Sequence, residues 1–433
     1  MLKTSVPGVH RERRLRLSAS EPEACFVFFG NREVVRSNST HFPFRQDSDF
    51  LYLTGFDEPE AVLVMVAGRS HLFVLERNET REIWDGERYG LDRARSIFGF
   101  DETHPVQEFH SKLEELLVDA TSIRTTLGLD VERDRALLKT IHAANRFRGK
   151  GRFGHLPIHS PLPELSEMRS VKDSLELASI RKACRATVRA HLEVLRKVRS
   201  GMTEFDAFIE FQYTLLRQGC SELGYGPIFA SGFNATTLHY TRNNDLLKEG
   251  DLFLIDAAGE CDGYTADLTQ TFPVSRAFQP AQARVYEQVL NVNREITAWI
   301  KPGVSYRELH ARSVDLLTES LLALGVLSGD LKELVASGAY RKYYPHGVGH
   351  YLGLDVHDAG IYQERGRDFQ LQPGMVLTNE PGLYFRDPGP YSGIGIRIEE
   401  DILVTETGSE VLTAGLPRTI EEIESVRSGG VWP

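Results

Sequence analysis

The sequence predicts a mixed α/β (α+β) fold in two domains. Three observations carry that prediction. The chain has 433 residues, more than one hydrophobic core usually serves. Short apolar runs of strand length alternate with longer stretches of helical periodicity. Between Pro157 and Ser166 three prolines, Pro157, Pro161 and Pro163, crowd together, and helices rarely run through such a segment. We therefore expect domains over 1–167 and 168–433.

In the first domain, Ala24–Phe29 reads as a buried strand ended by Gly30-Asn31. Ala61–Val66 and His71–Leu75 read as two more, joined by the turn Ala67-Gly68-Arg69-Ser70. Segments near 107–119 and 134–147 have helical spacing. In the second domain, Asp173 and Glu176 have the spacing of a capping box. Leu177, Ile180, Cys184, Val188, Leu192, Leu195 and Val198 then line one face of a long helix that stops before Gly201. Ser305 and Glu308 form a second box, opening a helix through Leu322.

Composition narrows the function. Fifty basic against 61 acidic residues leave a net charge of −11, the wrong sign for a protein held to nucleic acid by phosphate contacts. No apolar run reaches the roughly 20 residues that span a bilayer. The four cysteines, Cys25, Cys184, Cys220 and Cys261, form no CxxC pair. They read as free thiols of a reducing compartment, and the protein as cytoplasmic.

Five acidic or imidazole groups stand out. Leu252–Asp256 and Ala266–Phe272 are strand-like runs around Gly259–Gly263. A turn at Cys261-Asp262 would set Asp256 opposite Asp267, roughly 5 Å apart between β-carbons. Carboxylates that close repel unless a proton or cation lies between them. Downstream, His346, His350 and His357 fall within twelve residues. Gly347 and Gly349 make a helix there improbable, so His346 and His350 do not read as a helical zinc pair. Glu380 precedes Pro381-Gly382 at a strand end. Alternation puts Arg397, Glu399 and Asp401 on one strand face, with Ile396 and Ile398 on the other. Taken singly, each has a plain structural explanation: a turn aspartate, a hydrogen-bonded histidine, a surface ion pair. Taken together, four carboxylates and one imidazole suit a hard or borderline divalent ion, and two such ions would neutralise the carboxylates.

The order Asp256-x10-Asp267, HGVGH (346–350), NEPGLY (379–384) and GIRIEED (395–401) resembles the binuclear metallopeptidases of the pita-bread fold. It is most similar to aminopeptidase P (Xaa-Pro aminopeptidase), with prolidase close behind. Residues 44–64 resemble the amino-terminal domain of aminopeptidase P, which methionine aminopeptidases lack. Creatinase shares the fold without the ligands; this sequence keeps all five.

The resemblance implies an amino-terminal creatinase/aminopeptidase P-like α/β domain followed by a pita-bread catalytic domain. It implies metal ligation by Asp256, Asp267, His350, Glu380 and Glu399, with Asp267 and Glu399 bridging two ions. Those ions are expected to be manganese, with cobalt or zinc able to take the same ligands. Attack by a hydroxide held between the ions would cleave the Xaa-Pro bond at a peptide's amino end. Glu380 would be the general base, and His239 and His357 the substrate-facing histidines. His346 and Arg397 would stand behind the ligands, and Tyr384 would donate a hydrogen bond near the hydroxide. Asp49 is a distant candidate for the substrate's amino terminus. The partners expected are a peptide with a penultimate proline and further copies of the chain, in a homodimer or homotetramer. The alternatives are an Xaa-Pro dipeptidase, which the carboxyl end Pro417–Glu424 also resembles, and a catalytically silent pita-bread binding module.

Overall fold

The structure is a computed structural model that describes residues 7–148, 154–364 and 366–432. The chain divides into two compact units at Ser166/Glu167. The proline-rich segment is not all loop. Leu162–Ser170 is helical, with Pro163 in the first turn, where its missing N–H leaves no intrahelical bond unmade.

The first unit is built on a six-stranded mixed sheet. Its strands are β1 (Ala24–Phe29), β2 (Val62–Val66), β3 (Arg69–Val74), β4 (Glu102–Pro105), β5 (Ser122–Arg124) and β6 (Ile158–His159), in the order β4-β3-β2-β1-β5-β6. The turn between β2 and β3 takes Ala67 and Gly68 at φ 49° and 72°, the conformation of a tight hairpin. One sheet face, with Cys25, Val27, Val62, Val64 and Phe73, buries against Phe109, Leu113, Leu137 and Ile141. Those four come from the helices Phe109–Leu116 and Val131–Arg148. Each such side chain contributes about 1.5–3 kcal/mol when fully removed from water.

The second unit packs long helices around short antiparallel strands. Helix α1 (Ser174–Lys197) opens on the capping box of Asp173 and Glu176. It buries Ile180, Cys184, Leu192 and Leu195 on the face expected from their spacing. Ser305 and Glu308 likewise cap α2 (Tyr306–Ala323). Among the strands are β7 (Glu222–Leu223), β8 (Ile228–Ser231), β9 (Leu252–Asp256), β10 (Gly259–Cys261), β11 (Tyr264–Thr265) and β12 (Thr269–Pro273). Toward the carboxyl end lie β13 (Val376–Asn379), β14 (Gly382–Tyr384), β15 (Gly395–Arg397), β16 (Glu400–Val404) and β17 (Ser409–Val411). β9 is the centre of one sheet, between β8 and β12; β16 is the centre of another, between β13 and β17.

Two expectations are corrected. The first is the aspartate hairpin. Its turn is centred on Asp262-Gly263, both at positive φ (56° and 87°), so Cys261 faces Tyr264. Asp256 consequently pairs with Thr269, two positions beyond Asp267. An Asp-Gly pair is the residue choice a two-residue turn of this type demands, and that decides the register. The second is the cysteines. Cys220 and Cys261 form a disulfide, with Cα atoms 4.6 Å apart. Pairing of β7 with β10, Glu222 opposite Glu260, brings them together across 41 positions. Cys25 and Cys184 are free and buried.

Candidate metal centre

Each of the five proposed ligands sits at a strand end or break, where a polar group reaches the cavity without interrupting a ladder. Asp256 is the last residue of β9. Asp267 lies in the break between β11 and β12. Glu380 follows β13, and Glu399 lies in the gap between β15 and β16. His350 belongs to an extended segment beside β13: Thr378 N–H donates to His350 O at 2.8 Å, and Glu380 N–H to Val348 O at 2.8 Å. This close approach explains the glycine before His350. A β-carbon on Gly349 would lie 2.0 Å from the Thr378 carbonyl oxygen. No helix forms at 346–350.

The side chains converge. Donor atoms of Asp267, His350 and Glu399 all lie within 4.8 Å of one another. His350 Nε2 stands 3.3 Å from Asp267 Oδ2 and 3.8 Å from Glu380 Oε1. Asp256 is held from two sides, by Arg397 Nη2 at 2.5 Å and by the Tyr225 hydroxyl, which donates to Oδ1 at 2.7 Å. Arg397 Nε donates to Thr269 Oγ1 at 3.1 Å, and Thr269 in turn donates to Glu399 Oε2 at 2.6 Å. One guanidinium thus fixes two carboxylates, one directly and one through a hydroxyl. Asp256, Asp267, Glu380, Glu399, His350, His346, Arg397, His239 and His357 all line one cavity of about 330 Å³, with Leu238, Ile228 and Val356 as apolar wall. The His357 ring meets the His350 ring edge-on, centroids 4.4 Å apart.

Tyr384 stands apart from this lining. Its buried hydroxyl bonds Arg397 Nη1 at 2.9 Å and His346 Nε2 at 3.0 Å. That position is behind the cavity wall, where it supports Arg397. Asp49 is in the first turn of the Ser48–Thr54 helix of the other unit.

The electrostatics are those of crowded, buried acids. Burial, then the charges of Asp267, Glu380 and Asp256, push Glu399 far above the usual carboxylate range. Burial raises Glu380 to about 7 against the opposing pull of His350 and Arg397. Burial alone would lower His350, but its hydrogen bond to Asp267 and the charges of Asp267 and Glu380 outweigh it and lift it to about 9. Burial lowers His346 to about 4 and holds His357 below its ordinary value. Acids forced to retain protons in this way are a set from which divalent cations displace protons. The donor chemistry, four carboxylates and one imidazole, fits a hard or borderline ion.

Further residues complete the site that spacing alone did not reveal. Asp401, expected on the same strand face as Glu399, is fully buried. Its Oδ2 accepts from Asp267 N–H at 3.1 Å and from the Cys184 thiol at 3.3 Å. Asp358 accepts from Lys172 Nζ at 2.7 Å and Arg169 Nη2 at 2.5 Å, all three buried, and so anchors the loop that carries His357. These contacts span 134 to 217 positions, beyond any local signal. Tyr225, glycine-flanked and uncharged, offered no pattern at all.

Comparison with known proteins identifies the family of the chain. The model of metallopeptidase family M24 matches residues 178–406, and that of the aminopeptidase P amino-terminal domain matches 10–124. The chain is 38% identical over 436 residues to the Xaa-Pro aminopeptidase of Escherichia coli (strain K12), covering 98% of each. The solved structure of proline aminopeptidase P II from Yersinia pestis superposes with a TM-score of 0.93 at 38% identity, over 98% of this chain and 100% of that one. The structure of aminopeptidase P from E. coli with the inhibitor Pro-Leu does so with a TM-score of 0.93 at 37% identity, over 99% of both. With both of its parts matched and its relatives covered almost throughout, the chain belongs to metallopeptidase family M24, as a hydrolase of the aminopeptidase P type with a pita-bread catalytic domain.

Proposed function

We propose that the protein removes the first residue of peptides whose second residue is proline, at a binuclear centre held by Asp256, Asp267, His350, Glu380 and Glu399. The observation that carries this reading is the convergence of Asp267, His350 and Glu399 donors within 4.8 Å. The relatives named Xaa-Pro aminopeptidase support the substrate class. Asp267 and Glu399, the two most buried carboxylates of the five, suit the bridging positions. Two divalent ions, for which we propose manganese, would when bound supply a water acidified to hydroxide near neutral pH and a polarised carbonyl.

The remaining roles belong to the chain. Glu380, whose carboxyl titrates near 7 without metal, is suited to take the water's proton and pass it on. The departing proline nitrogen is a secondary amine and needs that proton. His239 and His357 line the same cavity and would donate hydrogen bonds to the scissile carbonyl as its oxygen gains charge. Arg397, backed by Tyr384, holds Asp256 in its ligating orientation. An Xaa-Pro bond lacks the amide hydrogen that ordinary peptidases grip, so a site relying on the carbonyl and the free amino end suits it.

Matched Xaa-Pro and Xaa-Pro-Yaa peptides, assayed with manganese, test the proposal. Cleavage of the longer peptide is the expected result. Activity confined to the dipeptide would make the protein a dipeptidase, and turnover of neither would leave a binding module. A homodimer or homotetramer, measurable by sedimentation, and a cytoplasmic place of action complete the proposal. No described helix is long and apolar enough to cross a membrane. A Cys220–Cys261 pair that stays oxidised in protein trapped from intact cells would argue against the cytoplasm.

A further inference from the structure

A second set of metal-ligating side chains meets on the amino-terminal sheet. β3 and β4 run parallel, with His71 opposite Glu102 and Phe73 opposite His104. Strand alternation sends Glu102 and His104, two residues apart, to the face that His71 occupies. His71 Nδ1 lies 3.2 Å from His104 Nε2 and 3.5 Å from Glu102 Oε2. His104 Nε2 is 3.4 Å from that same oxygen. The three donors therefore form a nearly equilateral triangle. A tetrahedral zinc ion with bonds of roughly 2.0–2.1 Å spaces its ligands about 3.3 Å apart.

The surroundings match a built site. Arg69 Nη2 holds the other carboxylate oxygen, Glu102 Oε1, at 2.7 Å, which orients Glu102 and leaves Oε2 facing the imidazoles. The His71 side chain is 4% exposed, whereas His104 and Glu102 are 15% and 32% exposed, so an ion has a route in from the β4 side. All three residues stand on strands, which hold geometry better than loops. The ring centres are 5.5 Å apart and the planes 19° apart, and the facing nitrogens, His71 Nδ1 and His104 Nε2, share a hydrogen bond. A bound ion would take the place of the proton that these two nitrogens share. Two imidazoles and one carboxylate favour a borderline ion, in contrast to the oxygen-rich catalytic cluster.

We propose that His71, Glu102 and His104 bind one zinc ion, outside the catalytic cluster, and so clamp the edge strand β4 to β3. The test uses the full-length protein, stripped with chelator and dialysed against micromolar free zinc. Elemental analysis should find one zinc equivalent fewer in Glu102→Gln and in His104→Gln than in the parent, with manganese-supported peptide hydrolysis within twofold. In an Asp267→Asn background, which weakens the catalytic cluster, cobalt(II) should still give the visible bands of a tetrahedral site. Those bands should vanish when His104→Gln is added. Should His104→Gln fail to fold by circular dichroism, Glu102→Gln on its half-exposed side chain carries the test. Equal zinc content in the parent and in the folded variants would mean that the trio is a hydrogen-bonded cluster only, and would overturn the proposal.

Discussion

Asp267 shows how much can rest on one carboxylate. It reaches His350, its own N–H is held by Asp401, and its neighbours Glu380 and Glu399 are acids. Replacing it with asparagine keeps the shape and removes the charge. A neutral amide bridges two cations poorly, so Asp267→Asn should lose hydrolysis and bound metal together; near-normal turnover would remove the ligand assignment. His239 makes the opposite case. It lines the cavity but is absent from the cluster of close donors. His239→Ala should therefore lower kcat by about 10²-fold, the range for one lost oxyanion donor, while metal content stays at the parent value. Metal loss in that variant would mean that His239 is a ligand.

At the level of elements, the hairpin between Asp256 and Asp267 depends on its Asp-Gly turn. Gly263 at φ 87° is a position that a β-branched residue resists. Gly263→Val should cost about 1–2 kcal/mol, read as a lower urea midpoint, and an unchanged midpoint would count against the turn as the register's source. The Cys220–Cys261 disulfide ties the same hairpin to the turn that follows the Glu204–Arg217 helix, closing a separation of 41 residues. Loop-closure entropy for that length is about 4 kcal/mol, so reduction should lower the melting temperature markedly; identical melts with and without reductant would refute that role. These two features also mark the limit of what the sequence makes legible. Helix starts at Asp173 and Ser305 were readable because a cap and its partner lie three residues apart. The five ligand candidates were readable because each breaks an apolar or glycine-rich pattern. The hairpin register is not fixed by the apolar pattern, because moving the turn centre by one residue, from Cys261-Asp262 to Asp262-Gly263, shifts every pair by two. The disulfide and the Asp358–Lys172–Arg169 cluster were invisible because their partners meet only through tertiary pairing.

For the molecule as a whole, the crowded acids make stability depend on pH and metal. A carboxyl raised in the folded state favours folding while protonated, and that contribution is lost as pH climbs through its folded value. Glu380, raised to about 7, loses it between about 4.5 and 7. His350, raised to about 9, loses it between about 6.5 and 9. His346, lowered to about 4, acts in the other direction below about 6.5, so the cleanest window is pH 7 to 9. Chelator-treated protein should melt at progressively lower temperature across that window. Manganese-loaded protein should melt higher and respond less, because ions that bind only the folded chain add stability by mass action. A flat pH profile for the stripped protein would contradict the burial of these groups as described.

The placement of Glu399 has a consequence for biosynthesis. Asp256 and Asp267 are translated well before the segment that bears Glu399, which enters only when β15 and β16 find their partners. On the ligand set proposed above, a growing chain short of Glu399 would carry Asp256, Asp267, His350 and Glu380 without their fifth partner. Hydrolysis would then await the docking of β15 and β16, and a truncation that removes them should yield protein with no residual activity.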